Sequence, residues 1–194
     1  IWDIETHRQI AILEGHSSTV YSILLAQEST LLISSSWDQS VRLWRLERKE
    51  KMDTLKGPTD AVRSIAITPD GTTIFTGGAD TSIRIWNLGS KKQVGIIWGH
   101  NGTVFSLALT SDAERIVSAS GDQTIRTWEI EMKRQIQVFK GHKEPVRVVV
   151  FVPGEKKIVS GSEDKTVIIW DFEKEKQLGQ PLQALPDSVP QQQQ

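Results

Sequence analysis

Along this chain, short apolar stretches alternate with polar breaks, and the sequence restarts at a fixed interval. Thr19–Leu25 is β-branched and apolar. Leu31–Ser34 follows after a polar break at Gln27–Thr30, and Val41–Trp44 alternates apolar with polar. Gln9–Leu13 is a further apolar stretch ahead of Gly15. Brief runs rich in Val, Ile, Thr and aromatic residues predict strands. The breaks carry turn chemistry, as in Thr68-Pro-Asp-Gly71 and Val152-Pro-Gly154. No segment sustains an apolar stripe at the helical period. The charged stretch Glu129–Arg134 is too short for a packed helix. The pattern predicts an all-β chain.

The interval is 42 residues. Trp recurs at 2, 44, 86, 128 and 170; Gly at 15, 57, 99 and 141; Asp at 38, 80, 122 and 164; Val at 20, 62, 104 and 146. Four residue types holding one period without an insertion mark tandem repeats. A unit of that size, built of four short strands, cannot bury both of its faces alone, so neighbouring units must stack. About four complete four-stranded units are expected, with boundaries near 15–56, 57–98, 99–140 and 141–183, and residues 1–14 belong to a preceding one. Ile1–Trp2 would end a third strand and Gln9–Leu13 would form an outer strand. A last outer strand is expected near Gln177–Gln183, where Gly179, Gln180 and Pro181 interrupt the apolar pattern. Repeats thus cover 1–183. Residues 184–194, with Pro186, Pro190 and Gln191–Gln194, read as a disordered Pro/Gln tail.

Three motifs recur in phase. Gly-His pairs stand at 15–16, 99–100 and 141–142. Ser34-Ser-Ser-Trp-Asp38, Thr76-Gly-Gly-Ala-Asp80, Ser118-Ala-Ser-Gly-Asp122 and Ser160-Gly-Ser-Glu-Asp164 form the middle stretches. Trp2-Asp3, Trp44-Arg45, Trp86-Asn87, Trp128-Glu129 and Trp170-Asp171 close the units. From residue 1 to about 180 the chain resembles the WD40 repeat family, whose proteins are β-propellers of four-stranded blades, commonly about seven of them. Seven units of this size would take roughly 294 residues. The resemblance therefore implies a fragment, with the remaining blades of a longer parent among its partners. Four blades alone would leave an open fan with apolar faces at both ends.

The resemblance also implies a hydrogen-bond chain of His, Ser or Thr, Asp and Trp within a blade, in which groups costly to bury alone satisfy one another. The hydroxyl four residues before the Asp is present in every unit, which selects it over the one two residues before. The sets are His16-Ser34-Asp38-Trp44, His100-Ser118-Asp122-Trp128 and His142-Ser160-Asp164-Trp170. The second unit supplies Thr76, Asp80 and Trp86 but has Pro58 in place of His. Its chain is incomplete, and its blade is expected to be less rigid.

Composition narrows the function. The balance of 23 Lys+Arg against 24 Asp+Glu, net −1, excludes a globally basic nucleic-acid binder and leaves only local patches. The absence of Cys excludes a disulfide scaffold, a thiolate zinc site and a cysteine nucleophile, and fits an intracellular setting, cytoplasmic or nuclear. The longest apolar run, near Val148–Val152, is far short of the ~20 residues of a membrane span. His16, Asp38 and Ser34 form a catalytic triad on paper. The same trio recurs in three units, whereas an active site is assembled once, so the trio reads as scaffold. No phosphate loop, dinucleotide fingerprint or HExxH motif is present. No catalytic, cofactor-binding or metal-binding residue is assigned, and no cofactor is expected.

In a repeating lattice, function is written where matched positions differ. The residue after the constant Val reads Tyr21, Arg63, Phe105, Arg147, and the one before the constant Asp reads Trp37, Ala79, Gly121, Glu163. In the family that the chain resembles, such positions lie on the top face, around the channel mouth, and contact peptides or partner proteins. Tyr21, Trp37, Arg63, Phe105, Arg147 and Glu163 are the partner-binding candidates. The alternative is that Tyr21 and Phe105 merely pack between blades. Tyr, Trp and Arg favour interface hot spots, and the arginines suit an acidic or phosphorylated ligand. The leading reading is a non-catalytic protein-interaction scaffold. An enzyme on a propeller scaffold is the first alternative, and nucleic-acid or anionic-lipid binding through Arg63, Arg147 and Lys143 the second.

Overall fold

Sixteen β-strands and no helix make up the described residues, 1–26 and 30–183, of the computed structural model. Residues 27–29 of the first polar break and the predicted tail at 184–194 lie outside them. The strands form four antiparallel sheets of four, each a meander in chain order. The first holds β1 (Val20–Ala26), β2 (Leu31–Ser36), β3 (Val41–Arg45) and β4 (Glu50–Leu55). The second holds β5 (Val62–Ile67), β6 (Thr73–Gly78), β7 (Ile83–Asn87) and β8 (Lys92–Ile97). The third holds β9 (Val104–Leu109), β10 (Arg115–Ser120), β11 (Thr124–Glu129) and β12 (Arg134–Lys140). The fourth holds β13 (Val146–Phe151), β14 (Lys157–Ser162), β15 (Thr166–Asp171) and β16 (Lys176–Gln183).

The core lies between sheets. Ile33, Val41 and Leu43 of the first sheet bury with Val62, Ile65 and Ile74 of the second. Phe75 and Ile85 bury with Val104, Leu107 and Ile116. Val117 and Ile125 bury with Val146, Val149 and Ile158. The first strand of each sheet packs on the first strand of the next, so β1, β5, β9 and β13 are the inner strands. Hydroxyls tie these strands together: Ser64 Oγ accepts from Leu107 N at 3.1 Å and Ser106 Oγ from Val149 N at 3.3 Å. The ends of the stack show what a neighbouring sheet contributes. Val62, Val104 and Val146 are at most 2% exposed, whereas Val20, at the same phase with no sheet ahead of it, is 46% exposed.

Two expectations for the outer strands fare differently. Gln9–Leu13 forms no strand; Gln9 makes one isolated bridge with Trp2. An outer strand grows on the third strand of its own sheet, and Ile1–Trp2 offers too little edge for a ladder. Trp2 is accordingly exposed, while Trp44, Trp86, Trp128 and Trp170 are buried. At the other end β16 does form, despite Gly179, Gln180 and Pro181. Val41, Ile83 and Ile125 pair with Leu55, Ile97 and Phe139, whereas Val167 pairs with Leu182, one residue later than the period requires. A bulge with Gly179 at φ +71° absorbs the extra residue and returns Leu182 to the apolar column.

Candidate functional site

The His-Ser-Asp-Trp sets close as hydrogen-bonded chains in three sheets. In the third, Trp128 Nε1 donates to Ser118 Oγ at 2.7 Å, His100 Nε2 lies 2.7 Å from that oxygen, and His100 Nδ1 lies 2.8 Å from Asp122 Oδ2. His16, Ser34, Asp38 and Trp44 in the first sheet, and His142, Ser160, Asp164 and Trp170 in the fourth, repeat these contacts within 0.2 Å. A neutral imidazole with its proton on Nδ1 satisfies every link: indole to hydroxyl, hydroxyl to Nε2, Nδ1–H to carboxylate. Each serine oxygen is buried and engaged by an indole, while His16 and Ser34 also line an apolar recess beside the first sheet.

Close approach to the closing Trp explains the glycine column in three of the units. A Cβ at Gly57, Gly99 or Gly141 would stand 2.8–2.9 Å from the ring of Trp86, Trp128 or Trp170. Each Asp also closes its own turn. Asp38, Asp80, Asp122 and Asp164 accept through Oδ1 from the backbone N–H two residues on. The hydroxyls of Ser40, Ser82, Thr124 and Thr166 donate to the same oxygens. Burial alone would raise the Asp122 carboxyl, but hydrogen bonds from His100 and Thr124 outweigh it and hold the group below the usual carboxylate range. Asp38 and Asp164 behave alike. Burial pushes the His100 imidazole down, against the pull of Asp122.

In the second sheet an arginine does what the missing His cannot. Trp86 Nε1 donates to Thr76 Oγ1 at 3.0 Å. Arg84 Nε and Nη2 both donate to Asp80 Oδ2, at 3.1 and 2.8 Å, and Nη1 reaches Gln93 at 2.9 Å. Arg42 and Arg126 occupy the same phase but stand 3.8 and 3.3 Å from their Asp, where His already holds it. The carboxylate that the incomplete set would have left exposed to desolvation is therefore paired. The arginine column (42, 84, 126, with Ile168 in the fourth unit) and the hydroxyl column at 40, 82, 124 and 166 went unread, although both keep the period.

The partner-binding candidates share one backbone device. Val20 pairs with Ser36 and Ser22 with Ser35, so Tyr21 is the extra residue of a β-bulge. Arg63, Phe105 and Arg147 are the extra residues of equivalent bulges in the other sheets. A bulge re-aims a side chain out of the ladder's alternation. Trp37, Ala79, Gly121 and Glu163 lie beside them, each N–H donating to the carbonyl just ahead of the bulged strand (Thr19, Ala61, Thr103 and Pro145).

The bulged side chains meet across sheets as a ladder. The Tyr21 and Trp37 rings lie 6.0 Å apart. The Arg63 guanidinium sits 3.9 Å from the Tyr21 centroid, 4.8 Å from Trp37 and 5.8 Å from Phe105. Arg147 sits 3.9 Å from the far side of the run, on Phe105, and its Nε donates to Glu163 Oε1 at 2.7 Å. All six candidates thus join one surface spanning four sheets, with Trp37 half exposed at one end and Glu163 at the other. Lys143 instead lends its backbone N–H to Asp164. Tyr21 and Phe105 do reach between sheets, as the packing alternative holds, and there they meet the guanidinium groups of Arg63 and Arg147. A separate apolar recess of about 870 Å³ runs between the N-terminal segment and the outer face of the first sheet, lined by Trp2, Leu13, Ile23 and Trp44. Among the described residues no group of three or more His, Asp or Glu could hold a metal ion, and no helix is long and apolar enough to cross a membrane.

The model of the family described as WD domain, G-beta repeat matches the chain four times, at residues 7–45, 49–87, 91–129 and 133–171. The chain belongs to the WD40 repeat family. The second, third and fourth matched WD40 repeats each run from the last strand of one sheet (β4, β8 or β12) through the first three strands of the next, so repeat and sheet are offset by one strand. The comparison with curated proteins gives no match. WD40 repeats generally serve as protein–protein interaction scaffolds, and the family is typically non-enzymatic.

Proposed function

We propose that this WD40 chain is an interaction scaffold whose docking surface is the bulge ladder, and that it takes a peptide or the extended segment of a partner protein. The observation carrying this reading is that four bulges at one phase lift out Tyr21, Arg63, Phe105 and Arg147, and those side chains assemble into one surface. Bulges re-aim side chains, and here they stand beside a column that holds a different residue in every repeat, Trp37, Ala79, Gly121 and Glu163. A purely structural column would repeat one residue type, as Val20, Val62, Val104 and Val146 do. Aromatic rings holding arginines in place supply rigid contact area and directed donors, the composition of interface hot spots.

The test is affinity capture with quantitative mass spectrometry, comparing wild type with W37A/R63A at equal thermal stability. Loss of a defined partner set supports the reading. An unchanged set rejects the ladder as the docking surface. Strong salt dependence and competition by a single-stranded oligonucleotide would instead favour the nucleic-acid reading.

A further inference from the structure

The ladder carries two arginines, and their surroundings differ. Arg147 sends Nε to Glu163 Oε1 at 2.7 Å, with Nη2 on the same oxygen, and stacks on Phe105. Arg63 is set among Tyr21, Trp37 and Phe105. Its Nε is buried without a hydrogen-bond partner, and among the described residues no carboxylate pairs with it. One end of the ladder is therefore a preorganised cation between rings. At the other end a cation is already neutralised by a carboxylate that is itself about half exposed.

We infer that Glu163 is a specificity-determining residue of this surface: it occupies Arg147, so that Arg63 alone takes an anionic group while the Glu163 end favours a donor. The inference rests on the docking reading and names its ligand class. The ligand is a peptide with one carboxylate or phosphate for Arg63 and a lysine, arginine or other donor a few residues away. Charge complementarity carries the argument. A guanidinium held by rings keeps its outer N–H edge for a bidentate acceptor. A second anion, by contrast, would face Glu163 and would have to displace it from Arg147. An exposed ion pair is worth little, so the selection it imposes is modest and removable.

Fluorescence anisotropy with two labelled peptides tests this: hexaglutamate, and the block peptide Glu-Glu-Gly-Gly-Lys-Lys. Wild type should bind the block peptide about threefold more tightly than hexaglutamate. E163Q should raise hexaglutamate affinity about threefold and erase that preference. R63A should weaken both peptides about tenfold, with R63K recovering part of the loss, and should cost more than R147A does, since Glu163 already occupies that guanidinium. Unchanged hexaglutamate affinity in E163Q, or an R147A loss equal to that of R63A, would overturn the inference. Should neither peptide bind wild type, the docking reading fails for peptides of this class. Hexaglutamate binding gained in E163Q and lost in E163Q/R147A would still uphold the role of Glu163, and no gain would overturn it.

Discussion

Ser118 holds two buried groups at once, the indole of Trp128 and the imidazole of His100. Removing its hydroxyl leaves both unpaired where water cannot reach them. Ser118→Ala should therefore cost about 2–3 kcal/mol, more than a typical single hydrogen bond, as read by urea unfolding. The titratable members of these chains make stability depend on pH in one direction. The folded state lowers the His100 pKa from 6.5, so below that pH the unfolded chain takes up a proton the folded one refuses. Its contribution is complete above pH 6.5 and fades as the pH falls. Asp38, Asp122 and Asp164, each lowered from 3.8, contribute fully above that value and lose the contribution below it. The thermal midpoint should thus fall in two stages on acidification, shallow below 6.5 and steep below 3.8. His100→Gln should remove most of the first stage.

At the scale of one sheet, the second differs from the others in what meets its aspartate. The expectation of a less rigid blade rested on Pro58 standing where the His of the set should be. Arg84 grips that carboxylate with two donors and reaches Gln93 with a third. Asp80 is accordingly held below the usual carboxylate range despite its burial. Arg84→Met should leave a buried carboxylate unpaired and cost about 3 kcal/mol. Arg126→Met, where His100 still holds Asp122, should cost less than about 1 kcal/mol. The comparison is by chemical denaturation, and equal losses would contradict the substitution of roles. The arginine was visible at its repeat phase. Its reach was not, because where a long flexible side chain ends depends on whether a histidine already fills the space.

For the whole molecule, the decisive fact is that one interface is used three times and its two outer halves stand open. Ile65, Leu107 and Val149 are covered by the sheet ahead of them, while Ile23 at the same phase is 66% exposed. Val148, Val150 and Leu182 face outward from the fourth sheet. Leu107→Ser should cost about 3 kcal/mol, since it strips a buried side chain and strands a hydroxyl. Ile23→Ser should change stability by less than about 0.5 kcal/mol and reduce self-association in analytical ultracentrifugation. A large loss from Ile23→Ser would mean that the first face is covered in solution.

What the sequence alone determined is everything that repeats. Period, strand positions, turn chemistry and the membership of the Trp-Ser-His-Asp chains recur in phase, and recurrence separates architecture from accident. That the units must stack also followed from the size of one unit. Tertiary structure decided what differs between repeats. It set aside the strand at Gln9–Leu13 for want of a partner edge and rebuilt β16 around a bulge at Gly179. It also put Arg84 on Asp80, and it split two look-alike arginines into one paired with Glu163 and one held between rings. The physical reason is common to all of these. A hydrogen-bond ladder, a buried charge and a cation–π contact each need a partner from another part of the chain. Which partner arrives first is settled by proximity in space, and a period along the sequence does not record it.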